Sequence, residues 1–263
     1  MDLSQIKMVV SDMDGTLLNS NHEVSPRFFE IFKELQKRNI TFVAASGRQY
    51  HSMIDKLDSI KDEIIVIAEN GALVKQQGKA LLTTPIDGSE VNRILETVAP
   101  LENVHPVLCC QNNAFVGGDS DAFITMLKEY YSEFQIVKDQ SRVDDEVLKI
   151  AIYHFESSER FIYPAVKHLE SELKVKVSGA NWVDVSDMNA HKGYALQKVM
   201  EQHIVAPHEI MVFGDYNNDL EMLELSEYSF AMANAHPNVL KTAKYKTTSN
   251  NDFGVERVLE KLL

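Results

Sequence analysis

Four short apolar runs, each ending in a loop of small, polar or acidic residues, set the outline of this chain. Met8 to Val10 runs into SDMDGTL, Ile40 to Ala45 into Ser46-Gly47-Arg48, Ile64 to Ala68 into Glu69-Asn70-Gly71, and Ile210 to Phe213 into GDYNND. Such runs read as strands buried on both faces, the pattern of a parallel sheet covered by helices. Between the first two lies SPRFFEIFKELQKRN, where Ser25 is placed to cap, Pro26 to take the first helical position, and Phe28, Ile31, Phe32 and Leu35 recur at helical spacing. Strand, helix, strand makes a βαβ unit.

After short strands around Leu73 to Thr84 the pattern changes at Pro85. Helices are expected near Ser89 to Val98, Asp121 to Phe134 and Glu159 to Leu173, with strand-like alternation at Val104 to Val116, Leu148 to Phe155 and Val175 to Val185. From Lys192 the first style returns: a helix, the strand at Ile210, a helix after Asp219, a short strand near Phe230 to Met232, and DFGVERVLEKLL as a closing helix. The expected fold is α/β, a doubly wound, Rossmann-like parallel sheet built from residues 1–84 and 188–263, with an α+β domain inserted at 85–187.

The 263 residues carry 26 basic and 39 acidic side chains, a net charge of −13 that repels nucleic acid and anionic membrane surfaces. Cys109 and Cys110 are neighbours, which offers neither a disulfide framework nor a CxxC knuckle, and the nine histidines show no HExxH spacing. No run approaches the ~20 apolar residues of a membrane span, and the N-terminus lacks a signal-peptide pattern, so a cytoplasmic location is expected. No pattern specifies an oligomeric state.

An acidic protein that handles an anion needs a local positive site. In SDMDGTL, Asp12 and Asp14 stand two residues apart past a strand end, the arrangement of a nucleophile and a proton donor for phosphoryl transfer, with Gly15 and Thr16 making the turn. The same Asp-Gly pair is also ordinary turn chemistry. Ser46 and Gly47 lie where a following helix would start and suit a phosphate cradle, while Ser46 equally suits a plain N-cap. Arg48 has two readings, a grip on substrate or on a surface carboxylate. Lys192 opens a helix, where a cation is misplaced by a few tenths to ~1 kcal/mol unless an anion sits beside it. Asn189 and His191 precede it as candidate caps. Asp215, Asn218 and Asp219 follow a strand, as ligands for a hard cation or, for Asp219, as a helix cap. In a doubly wound sheet these loops share one crevice, and carboxylates gathered there raise one another's pKa unless a divalent cation neutralises them. Oxygen-only ligands point to Mg²⁺.

DMDGT, SGR, a single Lys and GDxxND, in that order with a large insert before the lysine, resemble the haloacid dehalogenase superfamily of phosphatases, and within it the Cof-type branch. Asn70 to Ala72 and SNNDFGV, ending at Val255, extend the resemblance along the chain. It implies Asp12 as nucleophile, Asp14 as acid and base, and Mg²⁺ on the Asp12 carboxylate, the Asp14 backbone carbonyl and Asp215, with Asp219 close behind. It implies phosphate resting on Ser46, Gly47, Lys192, Asn218 and the Met13 backbone, and a small phosphorylated metabolite such as a sugar phosphate as substrate. Tyr216-Asn217 departs mildly, where small or acidic residues are frequent. A sugar phosphomutase or a sugar-phosphate sensor would carry the same motifs; a phosphoacceptor signalling domain would not explain the insert. Trp182 and Asp184 stand on an alternating strand of that insert as sugar contacts or, for Trp182, as packing.

Overall fold

The computed structural model describes residues 3–118, 120–128, 131 and 134–263. Its strands in chain order are β1 (Met8–Asp12), β2 (Thr41–Ala45), β3 (Ile65–Ala68), β4 (Leu73–Gln76), β5 (Lys79–Thr83), β6 (Val104–Cys110) and β7 (Ala114–Gly117). They continue with β8 (Gln135–Val137), β9 (Val147–His154), β10 (Leu173–Gly179), β11 (Trp182–Asp187), β12 (Ile210–Gly214), β13 (Tyr228–Ala231) and β14 (Tyr245–Lys246). Met1–Leu82 with His191–Leu263 forms one compact unit and Thr83–Ala190 another.

The first unit holds an eight-stranded sheet in the order β14-β13-β12-β1-β2-β3-β4-β5. Every residue of β1, β3 and β12 is buried, as continuous apolar runs require when helices cover both faces. From β1 the chain winds one way through β2 and β3, and from β12 the other way through β13 and β14, so the winding reverses between β1 and β12. That reversal opens a crevice at the carboxyl ends of the strands. Ser11 pairs with Phe213 and Asp12 with Ala45, so the loops starting at Met13, Ser46 and Asp215 leave the sheet at one level.

Helix Pro26–Lys37 forms as its spacing predicts: Ser25 accepts from the Phe28 amide, and Phe28, Ile31, Phe32 and Leu35 are buried. The sheet is not parallel throughout, because β4 runs antiparallel to β3. Gln77 and Gly78 both have positive φ (51° and 73°), the two-residue turn that matches strand twist and sends β5 back beside β4.

The second unit carries a six-stranded sheet, β10-β11-β9-β6-β7-β8, antiparallel except where β8 joins β7. Alternate residues divide between two cores. Leu108, Ile150, Ile152, Val183 and Val185 pack with Val91, Ile94 and Val98 of helix Gly88–Val98, while Val107, Val116, Ala151 and Tyr153 pack with Phe123 and Leu127.

Three expected elements differ. The single helix at Glu159 to Leu173 is broken into Ser158–Phe161, Tyr163–Val166 and a 3-10 segment, Lys167–Ser171, because Pro164 has no N–H and its ring clashes with the carbonyl four residues back. The helix expected over Asp121 to Phe134 runs only over Asp121–Leu127, and residues 129, 130, 132 and 133 of that span lie outside the described residues. The closing helix is Gly254–Leu259, flanked by 3-10 turns, since Phe253 takes a left-handed φ of 58°. Among the described residues no helix is long and apolar enough to cross a membrane.

Candidate active site

Asp12 ends β1 and is 5% exposed. Its Oδ1 accepts from Lys192 Nζ at 2.5 Å, and its Oδ2 is buried without a hydrogen-bond partner. The loop that follows is pinned from several sides: Met13 buries its side chain, its carbonyl accepts from the Leu18 amide, Asn234 donates to the Gly15 carbonyl at 2.8 Å, and Asn250 donates to the Leu18 carbonyl at 2.8 Å. Gly15 has φ 78°, and a Cβ there would collide with the Asp215 carboxylate. Thr16 Oγ1 donates to Asp215 Oδ1 at 3.2 Å. A turn made only for geometry would need no such approach.

Lys192 is the first residue of helix Lys192–His203, whose N-cap, His191, accepts from the Tyr194 amide through Nδ1. Its side chain is fully buried, bonding Asp12 and, at 2.7 Å, Asp219 Oδ1. Asp219 is not a side-chain cap for helix Leu220–Glu224. Its Oδ2 instead accepts from the Asp215 and Tyr216 amides at 2.9 and 3.0 Å, so it braces the loop and anchors the lysine. Burial, followed by the charge of Asp219, pushes the Asp12 pKa well up against the pull of Lys192. Burial and Asp219 push Asp215 up to about 6. For Lys192, burial opposes the charged form, but Asp12 and Asp219 outweigh it and raise its pKa.

Asp14 is held differently. Arg48 grips it with two bonds, Nε to Oδ2 at 2.7 Å and a terminal nitrogen to Oδ1 at 2.6 Å, and His22 Nδ1 lies 3.4 Å from the same Oδ1. Burial raises the Asp14 pKa, yet the Arg48 bonds and charge win and lower it. Arg48 thus pairs with a residue of the site itself. The helix after β2 begins only at Tyr50, with Gln49 at its cap, so Ser46 is not at a helix N-terminus. Its hydroxyl accepts from the Arg48 amide at 3.1 Å and shapes the turn that carries the arginine. Gly47 packs on the side chain of Asn70, whose Oδ1 accepts from Asn218 Nδ2 at 3.0 Å.

The structure therefore joins Asp12, Lys192, Asp219 and Asp215 in one bonded cluster, sets Asp14 on Arg48 beside Ser46, and links Gly47 to Asn218 through Asn70. One carboxylate oxygen from each of Asp12, Asp215 and Asp219 lies within 4.8 Å of the others. An all-oxygen donor set, a buried orphan oxygen on Asp12 and a carboxyl at Asp215 whose pKa is raised by burial and by Asp219 fit a hard divalent cation. Trp182 packs on Tyr153 with ring centroids 4.8 Å apart, and Asp184 lies 3.8 Å from Lys149. Asn234 and His22 carry no distinguishing signal in the sequence, and Thr16 reads there only as part of the turn and the motif, because the partners they hold in the fold lie outside their local pattern.

Comparison with known proteins identifies the family. The family described as haloacid dehalogenase-like hydrolase matches residues 9–259. The chain belongs to that family, and its relatives set it with the family's phosphatases. It is 30% identical to the 5-amino-6-(5-phospho-D-ribitylamino)uracil phosphatase YbjI of Escherichia coli (strain K12), over 98% of this chain and 96% of that one. A solved structure from Eubacterium rectale is 26% identical with a TM-score of 0.92, covering 98% of this chain and all (100%) of that one. The HAD subclass IIB sugar phosphatase BT4131 shares the fold, with a TM-score of 0.78, 19% identity, and 97% and 98% of the two chains covered.

Proposed function

We propose that this protein is a Mg²⁺-dependent phosphatase that cleaves small phosphate monoesters through an aspartyl-phosphate at Asp12. The observation that carries the reading is the Asp12 carboxylate: one oxygen fixed by a fully buried lysine, the other buried and unpartnered at the sheet's reversal point. A carboxylate so placed is costly unless it has a ligand or a reaction to serve.

In the first step Asp12 forms a bond to phosphorus, the ester P–O bond breaks, and the leaving alkoxide takes a proton from Asp14, which must come off Arg48 to carry one, because that grip favours the ionised carboxylate. In the second, Asp14 takes a proton from water, the resulting hydroxide attacks phosphorus, and Asp12 and inorganic phosphate are released. Lys192, Ser46, Gly47, Asn218 and the Met13 backbone would hold the phosphoryl oxygens. Asp12, the Asp14 backbone carbonyl and Asp215 would hold Mg²⁺, with Asp219 bracing them; the ion supplies charge neutralisation of the transferring group. Unaided monoester hydrolysis is slow enough that enzymes reach up to ~10²¹ in acceleration, and a proton donor supplies only ~10² to 10⁴, so positioning and electrostatics must supply most of it.

The substrate class is a phosphate ester on a polyhydroxylated carbon chain, which is common to a sugar phosphate and to the ribityl substrate in the name of the Escherichia coli relative. The test is release of inorganic phosphate from a panel of such esters with Mg²⁺ present, beside Asp12→Asn. Turnover by the wild type and its loss in a folded Asp12→Asn protein are expected. Undiminished hydrolysis by the variant removes the covalent route, and isomerised ester without free phosphate makes the protein a phosphomutase.

A further inference from the structure

Glu69, Asn70 and Gly71 adopt left-handed backbone in succession, with φ of 50°, 54° and 103°. Asparagine tolerates this region, but glutamate does not, and an L-residue there costs roughly 1–2 kcal/mol. A turn like this persists only where its surroundings over-determine it. Here they do. The Asn70 amide donates to the Ser46 carbonyl at 3.0 Å and the Glu69 amide to the Arg48 carbonyl at 2.9 Å, which locks the turn to the loop after β2. Gly71 faces the other way, and a Cβ on it would collide with the His191 carbonyl just before Lys192.

The Asn70 side chain completes the set. Its amide stands 3.0 Å from where a Cβ on Gly47 would be, and its Oδ1 receives the Asn218 Nδ2 hydrogen bond at 3.0 Å. One residue thereby touches the loops bearing Ser46, Gly47 and Asn218, on a turn pressed against the residue before Lys192. A side-chain amide carries two N–H donors at one end and a carbonyl at the other. Fixing one N–H of Asn218 on Asn70 leaves the second as a donor, whereas an unanchored amide can turn its carbonyl towards an anion and repel it.

We propose that Asn70 is a positioning residue: its side chain orients the Asn218 amide as a donor to the phosphoryl group, from a turn that its backbone ties to the Ser46 loop. This role rests on the reading of the pocket as a phosphoryl-binding site. The test is a double-mutant cycle of Asn70→Ala and Asn218→Ala, read both in kcat/KM for a generic aryl phosphate and in binding of inorganic phosphate to the Mg²⁺-loaded protein. Residues acting through one another are non-additive. Asn70→Ala alone is expected to lower kcat/KM and phosphate affinity on the order of 10- to 100-fold, and by less than about 2-fold once Asn218 is alanine. Asn70→Gly, which suits the backbone and removes only the amide, is expected to match Asn70→Ala and covers the case in which alanine fails to fold. Multiplying single effects, or wild-type behaviour of Asn70→Gly, overturns the role. Coupling in phosphate binding without turnover by the wild type would keep this role and remove the phosphatase reading instead.

Discussion

Lys192 Nζ stands 2.5 Å from Asp12 Oδ1 and 2.7 Å from Asp219 Oδ1, with no part of the lysine side chain exposed. Three buried charges of which two are negative leave an excess that the lysine alone cannot cancel, and removing one partner of a buried pair typically costs about 3–5 kcal/mol. Lys192→Met is therefore expected to lose at least ~10²-fold in kcat and to unfold at lower temperature than the wild type. Added Mg²⁺ would recover part of that stability, because it supplies the missing positive charge beside Asp12. Thermal unfolding with and without Mg²⁺ reads this directly; a variant as stable as the wild type in metal-free buffer would contradict the electrostatic account.

Asp215 gives the pH dependence. Burial and Asp219 push its pKa up to about 6, so the folded protein binds this proton more tightly than the unfolded chain does. By linkage this group favours the metal-free fold at low pH, and that contribution is lost as pH rises from about 3.8 through about 6. A divalent ion competes with the same proton. Apparent Mg²⁺ affinity is thus expected to fall by up to ~10-fold for each pH unit below about 6. The acidic limb of activity would then shift to lower pH as Mg²⁺ is raised. A limb that stays fixed over a hundred-fold range of Mg²⁺ would assign it to another group.

Arg48 fixes Asp14 by a two-point grip that a lysine cannot reproduce. The grip favours the ionised carboxylate, so it sets Asp14 for its part as base in the second step, and displacing a catalytic group by about 1 Å can cost ~10²-fold in rate. Arg48→Ala and Arg48→Lys are both expected to lower kcat by roughly 10- to 100-fold while leaving the fold intact. The lowered Asp14 pKa also means that its ion pair stabilises the protein above the unfolded carboxyl range and ceases to as pH falls through its own, so Arg48→Ala removes that part of the acid sensitivity. Rates equal to wild type in the lysine variant would show that charge alone suffices.

Local chemistry decided which of these features the sequence disclosed. Asp12, Asp215 and Lys192 sit beside strand ends or a helix start, and a strand-helix pattern is enough to place them. Pairings across long separations carry no such mark: Arg48 with Asp14 is 34 residues apart, and Asn218 with Asn70 is 148. Ser46 reads as a helix start because a polar residue after a strand commonly is one, whereas the helix waits until Tyr50 while the turn carries Arg48. In the second unit the apolar spacing from Glu159 onward is helical throughout, and only Pro164 records that the helix must break.

Helix Lys192–His203 ends on a residue that invites improvement. Ile204 adopts φ 54° at the C-terminal cap and is 86% exposed, so a β-branched side chain takes a left-handed conformation with no burial to offset it. Glycine is the residue that helix ends favour there, because it has no Cβ to meet the following carbonyl. Relief of roughly 1–2 kcal/mol is partly cancelled by glycine's greater freedom in the unfolded chain, about 0.5–1 kcal/mol. Ile204→Gly is expected to stabilise the protein by a few tenths to about 1 kcal/mol, seen as a higher denaturant midpoint at unchanged slope. Ile204→Val keeps the branch and the strain, and is expected to leave the midpoint where it is; a rise of equal size in both variants would trace the gain to lost surface hydrophobicity.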